Sequence, residues 1–192
     1  MNNFLKVRFS ISLSRTIVLF MILIPSCIFA QNKKVKERKI SLVEEFTDDE
    51  YKMPDSILFY SGGHWEIEKY YNILYRKLSN EIRGIDGYYD YKFQENANIP
   101  IRINSFDDLK IKFNNNNYNA ICVFALGDID REFPNGYVNS IAICSYDFYM
   151  ILLQSKTNKV LLKRKFRIIA KKIYYSENKR LAKYIVNELQ KL

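Results

Sequence analysis

Ala120-Ile121-Cys122-Val123-Phe124-Ala125-Leu126 is a run of seven residues without one polar side chain. Neither an amphipathic helix nor a half-exposed strand has that pattern, whereas a strand covered on both faces does. Such a strand needs a layer above it and another below, so the run predicts an α/β domain with this segment near the middle of its sheet. Upstream, Ser56-Ile57-Leu58-Phe59-Tyr60 is a second apolar run, ended by Ser61-Gly62-Gly63, and reads as another buried strand. Between Glu66 and Ile82 the residues Ile67, Tyr70, Tyr71, Leu74, Leu78 and Ile82 recur at helical spacing and draw one stripe, with Arg83-Gly84 as the stop. Tyr89-Asp90-Tyr91-Lys92-Phe93 alternates strictly, as a half-exposed strand does.

Ser105-Phe106-Asp107-Asp108 has the form of a capping box with Asp in place of Glu, which predicts a short helix to about residue 113 before the Asn114–Asn117 loop. Residues 127–136 read as a loop and 137–154 as a long strand with a bulge near Ser145-Tyr146. Ser155-Lys156-Thr157-Asn158 turns the chain into a return arm over 159–170, completing a hairpin. Ser176 is placed to cap a final helix whose stripe is Leu181, Ile185, Val186 and Leu189. The expected order is β-α-β-α-β-β-β-α, a mixed α/β sheet with helices packed on it.

The chain has 192 residues, 48% hydrophobic and 27% charged, a globular balance that excludes a disordered or collagen-like chain. Its amino terminus has three parts. Lys6, Arg8 and Arg15 carry charge with no acid, Ile17-Val18-Leu19-Phe20-Met21-Ile22-Leu23-Ile24 is apolar, and Pro25 precedes a small residue, Ala30, at a cleavage position. That is the layout of a secretory signal peptide, so the protein is expected in the periplasm or outside the cell. Two alternatives stand beside it: a lipoprotein signal with Cys27 acylated, and an uncleaved anchor, whose uncharged stretch of 17 residues is short for a span. The expected organisation is a signal peptide over 1–30, a polar lead-in over 31–53 and a single domain over 54–192, with no transmembrane span once the signal is removed. Cleavage leaves Cys122 and Cys144, a disulfide candidate in an oxidising compartment or else two buried thiols.

Three local features carry a family resemblance. They are Tyr118-Asn119-Ala120-Ile121-Cys122-Val123-Phe124-Ala125-Leu126-Gly127-Asp128, the hairpin from Tyr149 through Thr157-Asn158-Lys159 to Leu161, and the closing helix of residues 176–192. With the element order they resemble small bacterial envelope domains: the amino-terminal domain of the translocation protein TolB, the curli-assembly lipoprotein CsgG, and the penicillin-binding-protein activator lipoproteins. Gln154 stands where those hairpins usually have Asp. The resemblance implies a non-catalytic envelope module that binds other proteins or assembles.

Two loops offer material for chemistry. Ser61-Gly62-Gly63-His64-Trp65-Glu66 joins the first strand to the first helix, where loops at strand carboxyl ends line ligand crevices and a helix amino terminus favours an anion. Its bland reading is a glycine turn with a solvated histidine. Asp128-Ile129-Asp130 with Glu132 follows the central strand and could hold a divalent cation, or be a solvated acidic turn. His64 beside Asp128 or Asp130 would be a minimal general acid–base pair. The sequence has no G-x-S-x-G elbow, phosphate-binding loop, H-E-x-x-H or cysteine pair with zinc spacing, so neither a metal nor a cofactor is expected.

Charge gives the firmer signal. Residues 156–192 hold twelve basic side chains against Glu177 and Glu188, a net of +10, while residues 31–155 sum to −4. Alternation along Lys163-Arg164-Lys165-Phe166-Arg167-Ile168 puts Lys163, Lys165 and Arg167 on one face, and Lys171 and Lys172 follow. The bland reading is an edge strand armoured against aggregation. The functional one is a basic surface for an anionic envelope component or an acidic envelope protein. Nucleic acid is not the expected partner, because the exposed face lacks stacking aromatics. The function these features favour is an exported envelope binding or assembly module without catalytic activity; the alternative is a small secreted hydrolase using the loops 61–66 and 127–132. The exported protein should begin at Gln31, which its intact mass checks; a diacylglycerol adduct on Cys27 would establish the lipoprotein route instead.

Overall fold

The all-apolar run forms a strand, Ala120–Leu126, with every residue buried. In the computed structural model, which describes residues 39–62, 65–85, 90–109, 112, 117–132, 142–171 and 174–191, this strand is β4 of a seven-stranded mixed sheet. In chain order the others are β1 (Lys39–Thr47), β2 (Ser56–Ser61), β3 (Asp90–Glu95), β5 (Asp130–Glu132), β6 (Ile143–Gln154) and β7 (Val160–Lys171). Their spatial order is β1-β7-β6-β4-β2-β3, with β5 attached to β6. The trio β3, β2 and β4 is parallel, and β4–β6, β6–β7 and β7–β1 are antiparallel. The fold is mixed α/β, and all these elements belong to one compact unit.

The two helices are α1 (Trp65–Ile82) and α2 (Asn178–Gln190), and they lie together on one face of the sheet. The α1 stripe read from the sequence is buried throughout, as is that of α2. They close on Phe59, Cys122, Phe124, Phe148, Met150 and Phe166 from four strands. Each such side chain contributes roughly 1.5–3 kcal/mol by leaving water. The opposite face is covered by the β3–β4 connection, whose Ile99, Ile103 and Leu109 pack on Leu58, Ile121, Val123, Tyr149 and Ile151. Period-two alternation along β4 and β6 supplies both layers. No helix among the described residues is long and apolar enough to cross a membrane.

The structure corrects several expectations. The domain does not start at Pro54: Lys39–Thr47, read as lead-in, is an edge strand hydrogen-bonded to β7. Its period is broken by a register shift between Leu42 and Glu44, which hides the alternation. Asp130–Glu132 is a short strand rather than loop. The hairpin irregularity falls at Leu152/Leu153, not near Ser145-Tyr146. In the turn that follows, Asn158 adopts φ 55°, a left-handed conformation asparagine tolerates. The capping box forms as read: Ser105 Oγ accepts from the Asp107 amide at 3.2 Å, and the Asp108 carboxylate accepts from the Ser105 amide at 3.1 Å. It opens one 3-10 turn, Phe106–Leu109, rather than a longer helix. Ser176 does not cap α2, because a 3-10 turn over Tyr174–Glu177 intervenes and the Ser176 hydroxyl donates to the Lys171 carbonyl.

Cys122 and Cys144 are both buried free thiols, so the disulfide reading gives way to its alternative. Cys122 sits opposite Leu152 on β6, and Cys144 lies eight residues back along that strand, on the order of 26 Å away at ~3.3 Å per residue. Burial pushes both thiols up.

Among the described residues one cation lies inside the helix-facing layer. Arg164 falls between Leu162 and Phe166 on the apolar side of β7 and is 2% exposed. Its Nε meets Glu188 Oε2 of α2 at 2.5 Å, one Nη donates to the Phe46 carbonyl at 2.7 Å, and the other donates to Thr47 Oγ1 at 2.8 Å. Tyr51 adds a second tie, its phenol donating to the Leu189 carbonyl at 2.5 Å. Glu188→Leu should destabilise the protein by about 3–5 kcal/mol in urea unfolding, because it strands a buried guanidinium. The double variant Arg164→Met/Glu188→Leu should be more stable than that single variant.

Candidate functional site

The alternation of β7 sends Leu162, Phe166 and Ile168 toward the helices and Lys163, Lys165 and Arg167 to the other face, as the sequence predicts. β7 is not an edge strand, however, since β1 and β6 flank it. Armouring of a free edge therefore does not explain these cations.

The three side chains are also less free than alternation alone implies. Lys163 Nζ lies 5.4 Å from the centre of the Phe106 ring, and Lys165 Nζ lies 5.1 Å from that of Tyr149. These are cation–π distances. Asp147 on β6 is the cross-strand partner of Arg167 and holds its guanidinium with both carboxylate oxygens. The same carboxylate stands 3.2 Å from Lys165 Nζ. Partial burial alone would lower the Lys165 pKa, but the Tyr149 phenol and the Asp147 carboxylate outweigh it and hold the ammonium above its ordinary value. The Arg167 side chain remains 48% exposed and that of Lys165 only 19%. Lys171 is half-buried at the end of β7, and Lys172 lies outside the described residues.

Asp147 also borders a cleft of about 180 Å³ at the carboxyl end of β4. Asp128, Asp130, Asn104, Tyr149 and Arg167 line it, so the acidic loop picked out from the sequence and the basic strand meet in one place. Gly127 makes the corner: its amide donates to the Asp147 carbonyl at 2.8 Å, and a Cβ there would stand 3.2 Å from the Asp147 Cβ. The other wall is pinned by the Ile103 amide on the Leu126 carbonyl at 2.8 Å and the Tyr149 phenol on the Asn104 carbonyl at 2.7 Å.

Chemically the cleft offers exposed carboxylates and one guanidinium, suited to hydrogen bonding with a polar ligand. Among the described residues no group of three metal-ligating side chains gathers anywhere. His64, the candidate partner for Asp128 and Asp130, lies outside the described residues, as does Gly63. Asp147 escaped the sequence reading because its role depends on β6–β7 register. The signal for Arg164 was present, in its parity with Leu162 and Phe166.

No family model matches the chain, and no curated protein matches it. Among solved structures it is similar to PelC of Paraburkholderia phytofirmans, described as a dodecamer, at 9% identity over 80% of this chain and 99% of that one, with a TM-score of 0.47. It is also similar to the lipoprotein GNA1162 of Neisseria meningitidis, at 14% identity over 70% and 96% of the two chains, with a TM-score of 0.38. The likeness is a faint one of fold alone, and it does not point to TolB or CsgG in particular.

Gly127→Ala should cost about 1 kcal/mol or more, since the added methyl presses on Asp147 in a closely packed corner. Urea unfolding measures it; an unchanged midpoint would show that the corner yields freely.

Proposed function

We propose that this chain is a non-catalytic binding module of the cell envelope that meets an anionic partner with its basic carboxyl-terminal surface. The observation that carries the reading is the placement of the cations on regular elements. Lys163, Lys165 and Arg167 stand in one row on a strand held from both sides, whereas the exposed Lys179, Arg180 and Lys183 of α2 lie across the sheet and form a separate group. Charges fixed on a scaffold act together on an extended anionic surface without first losing chain entropy. The three-part amino terminus supports export to a compartment where anionic lipid and cell-wall polymer are the abundant negative surfaces. Asp147 moderates the row, because it neutralises part of the charge of both Lys165 and Arg167.

Co-sedimentation with phosphatidylglycerol vesicles tests this reading. Binding should fall steeply between 0.1 M and 1 M salt, as the Debye length shrinks from ~10 Å to ~3 Å. At about 1 kcal/mol per cation at an anionic surface, Lys163→Gln, Lys165→Gln and Arg167→Gln together should weaken it at least roughly tenfold. Asp147→Asn should strengthen it roughly fivefold by releasing two cations from one counter-ion. Absence of salt-dependent binding to vesicles and to cell-wall fragments alike would overturn the proposal.

A further inference from the structure

β1 closes one end of the sheet, and among the described residues no strand pairs with its outer side. Nine residues is long for an edge left open. Large apolar side chains gather there as well. Among the described residues the exposed large hydrophobics are Leu42 at 37%, Val43 at 55%, Phe46 at 47% and Tyr184 at 38%. The first three belong to β1. The fourth is on α2, its ring 6.3 Å from that of Phe166, which is the cross-strand partner of Leu42. Elsewhere among the described residues the large hydrophobics are buried or partly buried, so the greatest apolar exposure is concentrated on one edge.

We propose that this edge is where a second copy of the chain docks, strand to strand and antiparallel, joining two sheets through a pair of β1 strands. Charge identifies the occupant. The amino end of β1 carries Lys39, and in the sequence before it Lys33, Lys34, Lys36 and Arg38 stand against the single acid Glu37. The carboxyl end carries Glu44 and Glu45, both exposed, and the exposed Asp49 follows, while Asp48 and Glu50 share Lys159 within the chain. Two copies related by a two-fold axis across the strand set each basic end against the other copy's acidic end. A parallel arrangement would oppose like with like, which is unfavourable for strands directly paired. The contact is isologous and closes at two copies, so it does not propagate into a fibre. An anionic surface is a poor occupant, because Glu44 and Glu45 would face it. The register shift leaves Val43 as the extra residue of the strand and the most exposed of the apolar group, near the middle of the pairing. This inference is independent of the basic row on β7.

Sedimentation velocity on the purified protein across roughly 1 to 100 µM tests it. The wild-type chain should shift from monomer to dimer within that range, and Val43→Lys should weaken self-association at least tenfold. Because Val43 is more than half exposed, its replacement should leave the circular dichroism spectrum unchanged, and the urea midpoint unchanged at about 1 µM or below, where the chain is monomeric. In the chain beginning at Gln31, Val43→Cys under mild oxidation should give a cross-linked dimer that the unsubstituted chain does not, since its other two cysteines, Cys122 and Cys144, are buried. A wild-type chain that stays monomeric throughout, a dimer that survives Val43→Lys, or Val43→Cys without cross-linking would each overturn the proposal.

Discussion

A guanidinium closed between sheet and helix governs how this fold is assembled. Arg164 reaches α2 through Glu188, β1 through the Phe46 carbonyl and Thr47, and its own strand through the Lys163 carbonyl at 2.8 Å. An arginine so far from water is tolerable only when its donors are nearly all engaged and its charge is matched. That requirement fixes three elements at once: α2 must bring Glu188 to the sheet, and β1 must present its carbonyl at one height on β7. Apolar packing alone would hold the helix near the sheet; the ion pair sets its register along β7. The edge strand, poor in buried apolar surface, depends on it most.

The outward face of β7 is the complement of that interior. One strand carries a matched cation inward and a row of cations outward, and the outward row is restrained in turn by Phe106, Tyr149 and Asp147. The surface is therefore basic but ordered, with each long side chain laid on a neighbour. The β3–β4 connection serves both ends of this arrangement, since Phe106 supports Lys163 while Ile103 and Asn104 build the wall of the acidic cleft.

What was legible in the sequence followed from periodicity undisturbed by local exceptions. The central strand declared itself by lacking any polar residue, the two helices by their stripes, and β7 by an alternation that already placed Arg164 among apolar neighbours. β1 was hidden because its register shift puts Leu42 and Val43 side by side and follows them with two acids, a pattern that resembles a polar spacer. The sequence left a disulfide and two buried thiols open as alternatives because spacing along the chain carries no register: Cys122 and Cys144 occupy strands that pair, but at positions far apart along them. The acidic loop and the basic strand were each visible, and their meeting at one cleft was not. That meeting depends on a cross-strand partner, Asp147, which nothing local marks out.

The pairing of β1 with β7 brings together segments 118 positions apart, as the bond from Arg164 to the Phe46 carbonyl measures. The strand that leaves the ribosome early thus has to wait for one made near the end of synthesis. Until then β1 has no partner, and the ion pair that secures it cannot form. A chain built this way cannot complete its sheet from an amino-terminal fragment.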